Sequence, residues 1–246
     1  MGFEDVLKAA QNGDQHAQVA MGYLFYKGDG VVQDRREAAR WFGLAADQGN
    51  AEALCNLGHM RAHGEGMRLD LEKAIELYER SAELGDARAM FNLGFMYTDV
   101  EGIQQDWEKA FYWYSKAAEN GNIMALYRTA VMKEEGRGIG QDIQEAVSIY
   151  ERCLDANYPK AGYRLGLIFM EGKGVESNPE KAAGYLLRAA DMGSEDAMCE
   201  VGKMHLSGQG MTHSLTNAKK WLTKAANRGS QEAAELIQRI NNGEFR

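Results

Sequence analysis

The stretch GDGVVQD, residues 28–34, places two glycines around one residue, then a hydrophobic residue, then a carboxylate. Loops of that kind can hold a phosphate on backbone N–H groups. The rest of the chain repeats it: GEGMRLD at 64–70, GRGIGQD at 136–142, GKGVESN at 172–178 and GQGMTHS at 208–214, with a degenerate VEGIQQD at 100–106. Neighbouring copies lie 36 residues apart in every case, without insertion or deletion. A nucleotide needs one cradle, not six, and no copy runs on into G-x-G-x-x-G or G-x-x-x-x-G-K-S/T. The stretch is a turn, and its spacing marks a repeat protein.

Outward from the turn, the copies align with one another. Ala17, Ala53, Ala89, Ala125, Ala161, Ala197 and Ala233 share one slot, and Ala38, Ala74, Ala110, Ala146, Ala182 and Ala218 share another. Small residues in fixed slots suit helices packed at close range. Large apolar residues follow the second alanine at Trp41, Leu77, Trp113, Ile149, Tyr185 and Trp221, with Phe42, Tyr78, Tyr114, Tyr150, Leu186 and Leu222 beside them. Spacings of three, four, seven and eight are helical. The slot Asp34, Asp70, Asp106, Asp142, Asn178 and Ser214 holds only good N-cap residues, and Pro179 follows its cap at the first helical position. Gly49, Gly85, Gly121, Asn157, Gly193 and Gly229 stop each second helix.

Each unit is therefore helix, glycine turn, capped helix, glycine stop. A helix pair cannot bury its apolar face alone, so the pairs must stack. These patterns predict an all-α solenoid filling residues 1–246 as one domain. Six 36-residue helix-turn-helix repeats occupy 16–230, between an N-terminal capping helix in 1–15 and a C-terminal one in 231–246.

Composition narrows the function. The net charge of −8 (28 basic against 36 acidic residues) argues against a general nucleic-acid binder. No apolar run approaches the roughly 18–20 residues that span a bilayer, and MGFEDVLKAAQNG lacks the basic start and apolar stretch of a signal peptide. Val6 breaks the myristoylation pattern despite Gly2. Cys55, Cys153 and Cys199 lie in three different repeats, as expected in a reducing compartment. The expected location is the cytoplasm, or the periplasm or exterior if a leader has been removed.

The pattern A-x3-L-G-x5-G-x-G-φ-x2-D-x3-A-x2-W-x3-A-A-x2-G is almost whole in AQVAMGYLFYKGDGVVQDRREAARWFGLAADQG, residues 17–49. It resembles the Sel1-like repeat, a relative of the tetratricopeptide repeat, over essentially the whole chain. The resemblance implies a right-handed superhelix whose first helices line a concave groove. It also implies a non-enzymatic adaptor or scaffold, most often bacterial, that binds a protein or extended peptide without a cofactor. A cognate inhibitor, such as an immunity protein for a toxin, is the alternative within that class. An enzyme or a cell-wall glycan binder is the alternative outside it.

By that resemblance the groove carries Asn56, Asn92, Arg128 and Arg164 in one slot, with Phe91, Tyr127 and Tyr163 before it and Tyr23, His59 and Phe95 after it. Asparagine can donate to and accept from a peptide group, and arginine can hold a carboxylate. The expected ligand runs along Asn56 and Asn92 and offers an acidic side chain or C-terminal carboxylate to Arg128 and Arg164. The competing expectation pairs those arginines internally with Glu134, Glu135 or Glu200. Cys55, His59 and His63, spaced i, i+4 and i+8, are a weaker candidate for a metal site, with Asp99 as a further ligand. Repeat four departs from the pattern at Thr129, Ala130, Lys133 and Asn157-Tyr158-Pro159.

Overall fold

The structure is a computed structural model that describes residues 2–245, the side chain of Asp99 excepted. Among the described residues there are fourteen α-helices and no strand. A terminal helix α1 (Phe3–Gln11) precedes six pairs. The pairs are α2 (Gln15–Lys27) with α3 (Arg35–Asp47), α4 (Ala51–His63) with α5 (Leu71–Glu83), and α6 (Ala87–Asp99) with α7 (Trp107–Glu119). They continue with α8 (Ile123–Glu135) and α9 (Ile143–Asp155), α10 (Pro159–Glu171) and α11 (Pro179–Asp191), and α12 (Glu195–Ser207) and α13 (Leu215–Ala226). A last helix, α14 (Gln231–Asn241), follows.

The caps explain the boundaries. Asp34 accepts from the Arg36 and Glu37 amides at 2.9 and 3.0 Å, and Asp70, Asp106, Asp142, Asn178 and Ser214 each accept from the amide three residues on. Each such cap is worth about 1 kcal/mol. A second series starts the first helices: Asp14, Asn50, Asp86, Asn122, Ser194 and Ser230. Tyr158 has no capping bond, and Pro159 opens α10 instead. At the stop slot Asn157 adopts φ 60°, the left-handed conformation that glycine takes in the other repeats.

Close approach accounts for two glycine slots. A Cβ on Gly58 or Gly94 would lie 2.7 Å from the ring of Tyr78 or Tyr114, and one on Gly166 would lie 2.4 Å from Leu186. In these repeats the large side chain of the second helix thus lies on bare backbone of the first. The second glycine of the loop touches the preceding repeat: a Cβ on Gly66 would sit 2.3 Å from the Arg35 carbonyl oxygen, and one on Gly138 2.1 Å from that of Trp107. The turn therefore also locks one repeat onto the start of the previous second helix.

The chain packs as two compact units, Met1–Ala125 with Arg137–Ile139, and Leu126–Gly136 with Gly140–Arg246. In the first unit Val19, Phe42, Leu54, Leu57, Met60 and Leu77 form one core cluster, and α1 brings Val6 and Leu7 against Met21 and Trp41. In the second, Tyr150, Leu154, Leu165 and Ile168 form one cluster. Another contains Leu186, Val201 and Leu222, covered by Leu236, Ile237 and Ile240 of α14. The alanines from Ala38 to Ala218 in the second-helix slot are wholly buried. Trp113, Tyr185 and Trp221 stay partly exposed, while their neighbours Tyr114, Leu186 and Leu222 are buried. Among the described residues no helix is long and apolar enough to cross a membrane.

Candidate functional site

In the first unit the first helices are tied side by side through the expected slots. The Tyr23 hydroxyl donates to Glu52 Oε1 at 2.8 Å, and Asn56 Nδ2 donates to the Tyr23 oxygen at 2.9 Å. Asn92 Nδ2 reaches Cys55 Sγ at 3.9 Å. Tyr23, Asn56 and His59 come together around a pocket of about 280 Å³, whose other walls are Tyr26, Phe42, Met60 and Arg88. A second pocket of about 480 Å³ adjoins it across Tyr23, lined by Phe3, Val6 and Leu24 with Lys27 and Asp29 at its polar edge.

Behind the smaller pocket stands Glu65, which accepts from the Tyr26 hydroxyl at 2.6 Å and from Arg35. Burial opposes its charge, but the Tyr26 bond and the Arg35 guanidinium together hold the carboxyl below its ordinary range. His59 Nε2 lies 3.9 Å from the same carboxylate, and burial, then His63, lower its imidazole. Arg88 bonds Asp86 at 2.9 Å through Nη2.

In the second unit Arg164 is paired within the protein. Its guanidinium donates to Glu134 at 2.7 and 3.1 Å, and the same carboxylate, 2% exposed, accepts from the Tyr150 hydroxyl at 2.7 Å and Lys173 at 2.9 Å. The internal pairing therefore holds for Arg164. A buried carboxylate with three donors satisfies Arg164, and withdrawing it would strand Glu134. Burial works against the Glu134 charge, but Arg164, Tyr150 and Lys173 outweigh it and lower its pKa. Arg128 is exposed, with no ion-pair partner among the described residues. Glu200 is taken by Lys203 at 2.9 Å, and Lys133 lies on Glu145 at 2.6 Å.

The predicted aromatic residues divide. Tyr127 packs on Tyr150 and Tyr158 with ring centres 5.6 and 5.0 Å away, Phe91 on Tyr114 at 5.4 Å, and Tyr163 against the Leu186 core. Phe95 is half exposed. Cys55 is buried, which pushes its thiol up to about 12, while the His59 and His63 rings meet tilted, with centres 4.2 Å apart. Among the described residues no group of three or more His, Cys, Asp or Glu is placed to hold a metal ion, and the Asp99 side chain lies outside the described residues. Cys153 and Cys199 are also buried free thiols.

Sequence reasoning passed over Tyr26, Arg35, Glu65 and Arg88. The available signal was the repeat register: Tyr26 and Glu65 are 39 residues apart, as are Glu134 and Lys173, and both pairs bond.

A sequence model of the Sel1 repeat matches residues 15–50, 51–86, 87–122, 123–158, 159–194 and 195–230. No curated protein matches the chain by sequence. Among solved structures, a protective antigen of uropathogenic Escherichia coli displaying an SLR fold is similar with a TM-score of 0.83 at 28% identity, over 96% of this chain and 50% of that one. The chain thus spans half the length of that protein. A Sel1 repeat protein from Oxalobacter formigenes is similar at 0.78 and 26% identity, over 92% of this chain and 100% of that one. An immunity protein from Pseudomonas aeruginosa shares the fold at 0.52 and 19% identity, over 89% and 82%.

Proposed function

The chain belongs to the Sel1 repeat family, and we propose that it is a non-enzymatic interaction module holding a protein or extended peptide segment along its first helices. The observation that carries the reading is the solvent-open pocket where Tyr23, Asn56 and His59, from two successive repeats, meet. Aromatic and arginine side chains are the usual anchors of interface energy, and Tyr23, Tyr26 and Arg88 supply them here, over buried Phe42. The Asn56 and Asn92 amides suit a ligand's peptide groups, and half-exposed Phe95 continues the row. In the second unit Arg128 offers a charged donor beside Tyr127, with Tyr163 one repeat on. Arg164 is assigned to Glu134 and not to the ligand. Binding rather than catalysis also suits polar groups that are bonded to one another, as Tyr23, Glu52 and Asn56 are. Three buried free thiols suit the reducing cytoplasm.

The fold shared with the Pseudomonas aeruginosa immunity protein makes a cognate inhibitor the second reading. The two differ in partner number and off-rate. Partners are captured from native lysate on the wild type, on an Asn56→Ala/Phe95→Ala variant, and on a control changed at exposed Leu84. Loss of one protein by the groove variant alone supports the proposal, and dissociation over hours would favour the inhibitor. Equal capture by all three sinks the groove as the working surface.

A further inference from the structure

The chain contains its own control for the small pocket. Three repeats on, 108 residues later, the positions of Tyr26, Phe42 and Asn56 are held by Glu134, Tyr150 and Arg164. There the protein's own side chains pair, with Arg164 laid on buried Glu134. In the first unit the acid has become Tyr26 and the arginine has become the shorter Asn56, and about 280 Å³ stands open between them. A third exchange reverses a charge: Asp196 occupies the slot that Arg88 holds beside the open pocket.

No carboxylate lines that pocket; its charged or ionisable walls are Arg88 and His59, and its other polar groups are Asn56 and the two tyrosine hydroxyls. The nearby acids already have partners. Glu52 accepts a hydrogen bond from the Tyr23 hydroxyl and lies 4.0 Å from Arg88, Glu65 is held by Tyr26 and Arg35, and Asp86 caps α6 through the Arg88 and Ala89 amides while pairing with one edge of the Arg88 guanidinium. Asp86 bonds Arg88 mainly through Nη2, so the opposite edge of the guanidinium remains for a second acceptor. Across Tyr23 the adjoining 480 Å³ pocket offers Phe3, Val6 and Leu24.

We infer that this pair of pockets reads an acidic-hydrophobic partner segment: a carboxylate side chain enters at Arg88, Asn56 and His59, and a large apolar side chain settles on Phe3, Val6 and Leu24. The inference rests on the groove reading above and gives it a specificity. Charge-assisted bonds to a carboxylate are about twice as strong as neutral ones. A glutamine in place of the acid therefore loses the discriminating contact while keeping nearly the same shape.

The test uses the full chain with methyl-labelled methionine and leucine, reading Met60 in the small pocket and Leu24 in the large one by NMR. The probes are N-acetylated, C-amidated peptides with phenylalanine and glutamate separated by one to three alanines. At the fitting separation, both reporters shift together, the glutamine peptide binds about tenfold more weakly (about 1.4 kcal/mol), and the lysine peptide shifts Met60 least. Arg88→Ala erases the preference for glutamate while Leu24 still responds, and Arg88→Lys restores part of it. Equal binding of glutamate, glutamine and lysine peptides overturns the acidic preference and leaves the groove reading standing. Silence of both reporters with every peptide overturns both.

Discussion

Tyr26 and Glu134 occupy the same slot three repeats apart, and each bonds the residue 39 positions on, Glu65 in one case and Lys173 in the other. The geometry is conserved while the charges trade places. Around Glu134 the result is a closed cluster, with Arg164 and Tyr150 completing the carboxylate's bonds. Around Tyr26 the acid has moved outward to Glu65, Arg35 neutralises it from outside, and Asn56 is too short to fill the space. One backbone thus yields an ionic cluster around a buried carboxylate in the second unit and an open aromatic pocket in the first. The repeat decides which slots meet, and the side chains decide whether the meeting place is occupied.

The largest effect should come from emptying the ionic cluster. Glu134→Ala strands Arg164 and leaves Tyr150 without its acceptor; removing one partner of a buried pair costs about 3–5 kcal/mol. With Arg164 29% and Lys173 43% exposed, the lower end is expected, about 3 kcal/mol by urea unfolding. Glu65→Ala should cost about 1 kcal/mol or less, because Arg35 is 42% exposed and can rehydrate. Equal losses would dissolve the distinction between the two sites. Acid sharpens it further. Because the folded state lowers the Glu134 pKa, its stabilisation is present above the unfolded carboxyl value of about 4.3 and is lost as pH falls through the lower folded value. Urea midpoints followed between about pH 6 and pH 3 should fall less steeply in Glu134→Gln than in the wild type.

Next in size are the glycine exchanges. Gly94→Ala drives a Cβ to 2.7 Å from the Tyr114 ring and should cost about 2 kcal/mol. Repeat four already holds Ala130 in that slot, wholly buried, so Ala130→Gly should destabilise by about 1 kcal/mol instead of relieving a clash. A gain on either substitution, measured by thermal unfolding, would show that repeats three and four pack this slot alike. The smallest effect concerns His59. Burial and then His63 lower its pKa, so it should titrate below about 6.5 in an NMR titration. Stability from the neutral ring is then lost as pH falls below about 6.5. Glu65→Gln should lower the titration further, since the Glu65 charge supports the imidazolium. An upward shift would place His59 outside the pocket's field.

Much of the fold could be read before any coordinates. Capping aspartates, stop glycines and alanine slots act within one helix or between adjacent helices, so their spacing carries the information directly. Asn157 at φ 60° shows how far this went: asparagine in a glycine slot was enough to mark a left-handed stop. The site was legible only in part. Tyr23, Asn56 and His59 were named together and do line one pocket, because their slots recur at 36-residue spacing on neighbouring helices. Arg88 carries no signal in the repeat pattern, because its slot holds His16, Glu52 and Met124 in neighbouring repeats, with no common chemistry. Arg164 was expected to have either an outside ligand or an internal partner, and a one-dimensional reading could not weigh a bond to Glu134 thirty residues away.

The sequence by itself determined the repeat, the helix pairs and the slots that face one another, since these follow from local geometry multiplied along the chain. Only the tertiary structure decided which of two equivalent sites is filled and which is open. That outcome depends on whether side chains 16 to 39 residues apart in the chain together use up the volume and the hydrogen bonds that the backbone leaves them.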